Sequence, residues 1–92
     1  MQKIYKYTFQ VEDEQQLFLP KGAQILTCFN QIGVGPVLYA AVDPAEPKVP
    51  RNISCRGTGH SMHGKEGKYV GTIRLSNYTL IFHVFDGGEH DS

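Results

Sequence analysis

The sequence predicts an all-β fold, or a β-rich α+β fold, built as a small antiparallel sheet or half-open barrel with at most one short helix. Three observations carry this. Apolar residues alternate with polar ones at period two in several stretches. Short apolar runs recur at close spacing, punctuated by glycine and proline. No window shows a 3.6-residue period bounded by capping residues.

The first strand is expected in KIYKYTFQVE (residues 3–12), where Tyr5, Tyr7, Phe9 and Val11 share one face and Lys6, Thr8 and Gln10 the other. DEQQ (13–16) has the acid and amide character of a turn, and a single helical turn near Asp13 is compatible with it. LFLP (17–20) reads as a short apolar strand stopped by Pro20, with Lys21-Gly22 as the turn. AQILTCFNQIG (23–33) is the next strand. Its apolar residues fall on both alternations, so both faces are expected to be covered. GVGP (33–36) is a loop and VLYAAV (37–42) a buried strand. In DPAEPKVPRN (43–52) the prolines Pro44, Pro47 and Pro50 stand three apart, which suits an extended polyproline connection at the surface. ISCRGT (53–58) reads as a strand running into glycines, GHSMHGKEG (59–67) as a loop and KYVGTIRL (68–75) as a strand. After a turn at Ser76-Asn77, YTLIFHVFD (78–86) is the last strand. It sets Tyr78, Leu80, Phe82 and Val84 on one face and Ile81, His83 and Phe85 on the other.

The chain of 92 residues is expected to be one domain, with an ordered core over about residues 4–85 and a flexible acidic tail over 86–92. A chain this short buries only about 60% of its unfolded surface, so a thin core and a binding surface suit it better than a deep catalytic cleft. With 40% hydrophobic and 20% charged residues it is not of disordered composition. No apolar run reaches the roughly 20 residues of a membrane span. The first ten residues lack the apolar segment of a secretion signal, and a soluble intracellular protein is expected. In that compartment Cys28 and Cys55 are expected to remain small buried thiols rather than a disulfide. The sequons Asn52-Ile53-Ser54 and Asn77-Tyr78-Thr79 are read as chance occurrences.

Net charge is zero, but its distribution is lopsided. Residues 48–74 carry Lys48, Arg51, Arg56, Lys65, Lys68 and Arg74, six of the nine basic residues, against Glu66 alone. The other acids lie at Glu12, Asp13 and Glu14, at Asp43 and Glu46, and at Asp86, Glu89 and Asp91. One reading of the basic segment is a solvated face balanced by acidic ends. The other is a surface for phosphate or for an acidic partner. On that second reading Arg56, Lys65, Lys68 and Arg74 make the contacts, Lys48 and Arg51 form the rim, and Tyr69 is an interfacial anchor. Tyr69 and Phe85 offer stacking to a base, although aromatic residues in strands more often fill a core.

Catalytic and metal chemistry is weakly supported by the same segment. His60 and His63 stand three apart, and with Cys28 and Cys55 they offer nitrogen and sulfur, but the ligand spacing of a zinc site is missing. Cys55 with His60 or His83 offers a nucleophile and a base without any sign of mutual geometry. The Gly57-Thr58-Gly59 turn lacks the Lys-Ser/Thr and the following helix of a phosphate loop, and suits a bend where a strand ends. No catalytic residue, no metal and no cofactor is expected.

The order IYKYTFQV…LPKGAQIL…LYAAVDP…RGTGH…YVGTI…HVF, from about Ile4 to Phe85, resembles a family of short phage and prophage proteins. LPKGA, VDP and GTGH are the pieces that carry the resemblance most clearly. In size and sequence the chain also resembles phage anti-CRISPR proteins of the type I-F class. That resemblance implies a non-enzymatic inhibitor in the cytoplasm of a bacterial host. It would dock on the surveillance complex of Cas proteins and guide RNA and block hybridisation or recruitment of target DNA. Two other classes of function are in view: a small β-sheet module that pairs its free edges into a homodimer or binds another host or phage partner, and an enzyme acting on a nucleotide or signalling molecule, which would need a pocket and a metal through His60 and His63 and lacks a convergent site in the sequence.

Overall fold

The computed structural model describes residues 1–76 and 79–90. Seven strands follow in order: β1 (Lys3–Thr8), β2 (Glu14–Pro20), β3 (Gln24–Gln31), β4 (Gly35–Val42), β5 (Lys48–Gly57), β6 (Lys68–Leu75) and β7 (Leu80–Glu89). They form two antiparallel sheets, one ordered β1-β4-β3 and the other β2-β5-β7-β6. The described residues contain no helix, so the optional turn of helix near Asp13 is absent. The Asp13 carbonyl is taken instead by the amide of Cys55 at 3.2 Å and by Arg56 Nη1 at 2.7 Å.

Residues directly opposite in an antiparallel pair point to the same face. Cys28 faces Leu38, Ile25 faces Ala40, Cys55 faces Val84 and Ile73 faces Phe82. These residues fill the space between the two sheets together with Leu19, Val42 and Ile53. Complete burial of each large aliphatic side chain contributes roughly 1.5–3 kcal/mol, and few are completely buried, so the core is thin. The sheets approach along β3 and β6, where Asn30 Nδ2 donates to the Arg74 carbonyl at 3.2 Å. At the other ends of the sheets, β1 and β2 each pair on one side only. The result is an all-β sandwich, closed along one side like the half-open barrel that the alternation predicts.

The structure corrects several details. DEQQ is not a turn. Glu14 to Gln16 open β2, and exposure alternates from Glu14 to Leu19. The polar Gln15 hides this pattern in the sequence, because its side chain occupies an inward position and bonds the Gln10 backbone. The proline-rich connection is not extended. Residues 43–47 form a turn in which Asp43 accepts from the amides of Ala45 and Glu46, both at 3.0 Å. Pro50 already belongs to β5. Its carbonyl accepts from His90 at 2.9 Å, so its nitrogen also faces the end of that ladder, where a missing N–H costs least.

Nor is 86–90 a free tail. β7 runs to Glu89, whose carboxylate accepts from the Gly22 amide at 2.7 Å, and Asp86 pairs with Arg51. Gly87 is the extra residue of a bulge opposite Asn52 and Ile53, which lets the strand continue. In β1 the ladder stops at Thr8, but Phe9 still enters the core beyond it. Asn77, Tyr78, Asp91 and Ser92 lie outside the described residues. Cys28 and Cys55 are buried free thiols, and burial, then the neighbouring Cys55, pushes the Cys28 thiol up to about 11.

Candidate functional site

The outer face of the four-stranded sheet is where the chain concentrates its polar chemistry. The residues after β5, 58–67, fold back over this face and are pinned there by Arg56. Arg56 Nε donates to Glu66 at 3.1 Å, its Nη2 to Glu14, and its Nη1 to the carbonyls of Asp13 and Cys55 at 2.7 and 3.0 Å. The Glu66 carboxylate also accepts from the amides of His63 and Gly64 at 2.9 and 3.0 Å. Ser54 and His63 complete the cluster on Glu14, at 2.7 and 3.1 Å. The Glu66 side chain is only 2% exposed and that of Arg56 9%. Every polar atom in this small lattice that burial would leave unpaired has a partner, as a buried ion pair requires.

Two carboxyls there sit below the usual range. Hydrogen bonds from Ser54 and then Arg56 hold Glu14 at about 2 instead of 4.5. Desolvation alone would raise Glu66, but bonds from the backbone amides and from Arg56 outweigh it and lower its value. A carboxyl depressed in the folded state adds stability that is fully present above its unfolded value and is lost as pH falls through its folded one. The attachment of 58–67 is therefore expected to weaken as pH falls from 4.5 towards about 2. Hydrogen exchange at the His63 and Gly64 amides, which should lose protection across that window ahead of the β5 and β7 amides, checks this.

Beside the lattice lies a second network. The His83 ring is held between two threonines, with Thr58 Oγ1 at 2.9 Å from Nε2 and Thr72 Oγ1 at 3.0 Å from Nδ1. Thr72 in turn bonds the Tyr69 hydroxyl. Tyr69 and Phe85, opposite each other in the β6–β7 ladder, meet edge to face with centroids 5.9 Å apart. The His60 ring lies against Gly57, where a Cβ would come within 2.8 Å of it, so the glycine is a seat for the imidazole. A hollow of about 190 Å³ opens between Thr58, His60, Met62, His83 and Phe85. Tyr69 is 55% exposed.

The residues singled out by charge divide into two groups. Arg51 and Arg56 are not on an open basic surface. Arg51 is buried, donating to Asp86 at 2.9 Å and to the Ala23 carbonyl, and Arg56 is buried in the lattice above. Their charges are already met inside the protein, so neither is free for a partner. Lys48, Lys65, Lys68, Tyr69 and Arg74 are exposed. Tyr69 and Arg74 lie on the outer face of β6, opposite Phe85 and Ile81, and Lys65 lies just before the strand, whereas Lys68 stands opposite Asp86 on the other face and Lys48 opens β5 opposite Pro20.

The alternation already places His83 and Phe85 on the face away from Val84. What it leaves out is that GTGH, YVGTI and HVF, three of the pieces that carry the family resemblance, meet on one face through Thr58, Thr72 and His83. Antiparallel pairing of β5, β7 and β6 produces that meeting. Cys55 points into the core opposite Val84, and the next residue, Arg56, is opposite His83 on the other face, so Cys55 and His83 do not form a dyad. The amides of Thr58 and His60 donate to the carbonyls of Ile81 and Gly57, so the Gly-Thr-Gly turn uses them within the fold. Among the described residues no three metal-ligating side chains gather as a cation would need.

The model of one protein family, described as a domain of unknown function (DUF7352), matches residues 1–92. No curated protein and no solved structure matches the chain.

Proposed function

The chain belongs to the DUF7352 family, and from that premise and the geometry above we propose that it is a non-enzymatic binding domain which docks on a macromolecular partner through the outer face of its four-stranded sheet. The observation that carries this reading is Tyr69. It is a large aromatic side chain left 55% exposed near the start of β6, the end strand of the sheet, yet fixed by Thr72 and Phe85. An anchor already held in place loses little conformational freedom on binding, which is the property of interface hot spots. The molecule measures 40 by 31 Å across its two longer axes, so one face can supply the ~800 Å² that a stable interface takes from each partner.

The finer form of the proposal follows the family resemblance. The partner is a type I-F surveillance complex in the cytoplasm of a bacterial host, and occupation of its Cas protein and guide RNA surface blocks target DNA. The exposed cations Lys65 and Arg74 suit RNA phosphates or acidic protein surface. The test is co-elution with the purified complex followed by a target-DNA binding assay. Reversing Lys65 and Arg74 together to Glu, with Arg51 and Arg56 left intact, is expected to weaken association roughly tenfold or more while thermal unfolding stays near that of the parent. Unchanged affinity would remove the basic face from the interface.

A second reading rests on the two sheet ends. β1 and β2 pair on one side only, and Ile4 and Phe18 on them are 66% and 61% exposed. Such edges can pair with a second copy of the chain. Light scattering during size exclusion separates the two readings, since the first requires only a monomer.

A further inference from the structure

We infer that the β6–β7 part of this face takes single-stranded nucleic acid, a base stacking on Tyr69 beside Phe85 with the neighbouring phosphates on Arg74 and on Lys65 in the connection just before β6. This rests on the docking role proposed above and narrows it to one ligand chemistry.

The argument begins with how Tyr69 is held. A tyrosine in an exposed strand position can stand away from the sheet. Here its hydroxyl reaches along β6 to Thr72, which holds the ring close to the sheet while the residue stays 55% exposed. Phe85 meets that ring edge to face at 5.9 Å and supports it from the next strand. A fixed aromatic ring on a sheet surface is the platform on which an unpaired base stacks, and stacking tolerates any base because each has a π-face. A base buried inside a duplex cannot reach such a platform.

Charge points the same way. On this face β6 carries Arg74, exposed and opposite Ile81, with no acidic residue in the strand, and the exposed Lys65 lies just before it. Glu14 and Glu66 on the same face are engaged by Arg56. Cations therefore flank the aromatic ring, although the whole chain has zero net charge. Tyr69 and Arg74 are five residues apart on one face, roughly 16 Å along an extended strand, which gives a path for a backbone to follow. The Thr58–His83–Thr72 chain beside the ring adds hydroxyl and imidazole groups able to donate to or accept from a base edge.

The test is fluorescence anisotropy at low salt with labelled eight-nucleotide single strands of RNA and of DNA, and with the corresponding duplexes. Single strands are expected to bind and duplexes to bind more weakly. The salt dependence should show a slope of about −1.4, about 0.7 for each of two phosphates neutralised. Tyr69→Leu keeps apolar bulk but lacks the π-face, and is expected to weaken single-strand binding by roughly 5- to 100-fold. Tyr69→Phe should retain most of the affinity. Circular dichroism confirms that each variant is folded. A clear preference for RNA would assign part of the recognition to the 2′-hydroxyl, and equal binding of both strands would assign it to stacking and phosphate alone; either supports the inference.

The inference is overturned by any of three results: no binding of single strands at low salt, duplex binding as tight as single-strand binding, or Tyr69→Leu binding like the parent. If the surveillance complex co-elutes while free strands fail to bind, this inference falls and the docking role stands. If free strands bind and the complex does not co-elute, the inference stands and the proposed partner falls.

Discussion

Replacing Arg56 with methionine is expected to lower folding stability by about 3 kcal/mol, read as a fall in melting temperature of roughly 12–24 °C for a domain of this size. Arg56 uses its guanidinium on Glu66, Glu14 and two backbone carbonyls, and a methionine of similar length replaces none of those donors. Glu66 would keep its place under 58–67 with its charge no longer compensated. The expected loss lies at the low end for a broken buried pair because Glu14 is half exposed and solvent screens its share. Thermal and urea unfolding measure it, and a loss below about 1 kcal/mol would mean that solvent reaches the whole cluster. The double variant Arg56→Met, Glu66→Gln should be less destabilised than the two single changes added together, since it removes both charges of the pair. The consequence for functional work is direct. A charge reversal at Arg56 would impair partner binding by unfolding the domain, so the binding face has to be tested at Lys65 and Arg74.

Gly67→Ala is expected to be at least as damaging, at roughly 3–5 kcal/mol from backbone strain and overpacking together. Gly67 has φ +102°, and a Cβ there would sit 2.2 Å from the Asp86 carbonyl oxygen. That oxygen belongs to β7, which is hydrogen-bonded between β5 and β6 and cannot retreat. Gly64 provides the control. It lies in the same connection at φ +86° with open space around the Cβ position. Gly64→Ala should therefore cost only the conformational part, about 1 kcal/mol. Similar losses from both substitutions would show that the collision with Asp86 is relieved by a shift of the chain.

How much of this could be read from the sequence depends on the range of the interaction involved. KYVGTIRL and AQILTCFNQIG gave their strands almost residue for residue, because alternation and glycine punctuation are local signals. Gln15 concealed the start of β2, since an inward position held by a polar residue breaks the apolar pattern although the backbone does not. The paired glycines Gly87-Gly88 suggested a free end but serve as a bulge within β7. Arg51 and Arg56 counted towards a basic surface because charge along a sequence does not reveal which cations are already paired; their partners Asp86 and Glu14 lie 35 and 42 residues away. For the same reason the His83 network was not legible. One of its threonines lies in the turn after β5 and the other in β6, and only the sheet order brings them to one ring.

The sheet order also governs how the chain can reach this structure. Only β3–β4 and β6–β7 join neighbours in sequence. The β1–β4, β2–β5 and β5–β7 ladders each close over roughly thirty residues, and pairings of that range fold in milliseconds to seconds, not microseconds. During synthesis β1 and β2 emerge first but acquire their ladders only with β4 and β5. For that interval the newborn chain presents Tyr5, Tyr7, Leu17 and Phe18 on unpaired strand edges, the state most open to aggregation. The two hairpins are the natural places for folding to begin, and substitutions at the Ile32–Val34 turn between β3 and β4 should slow folding more than they speed unfolding.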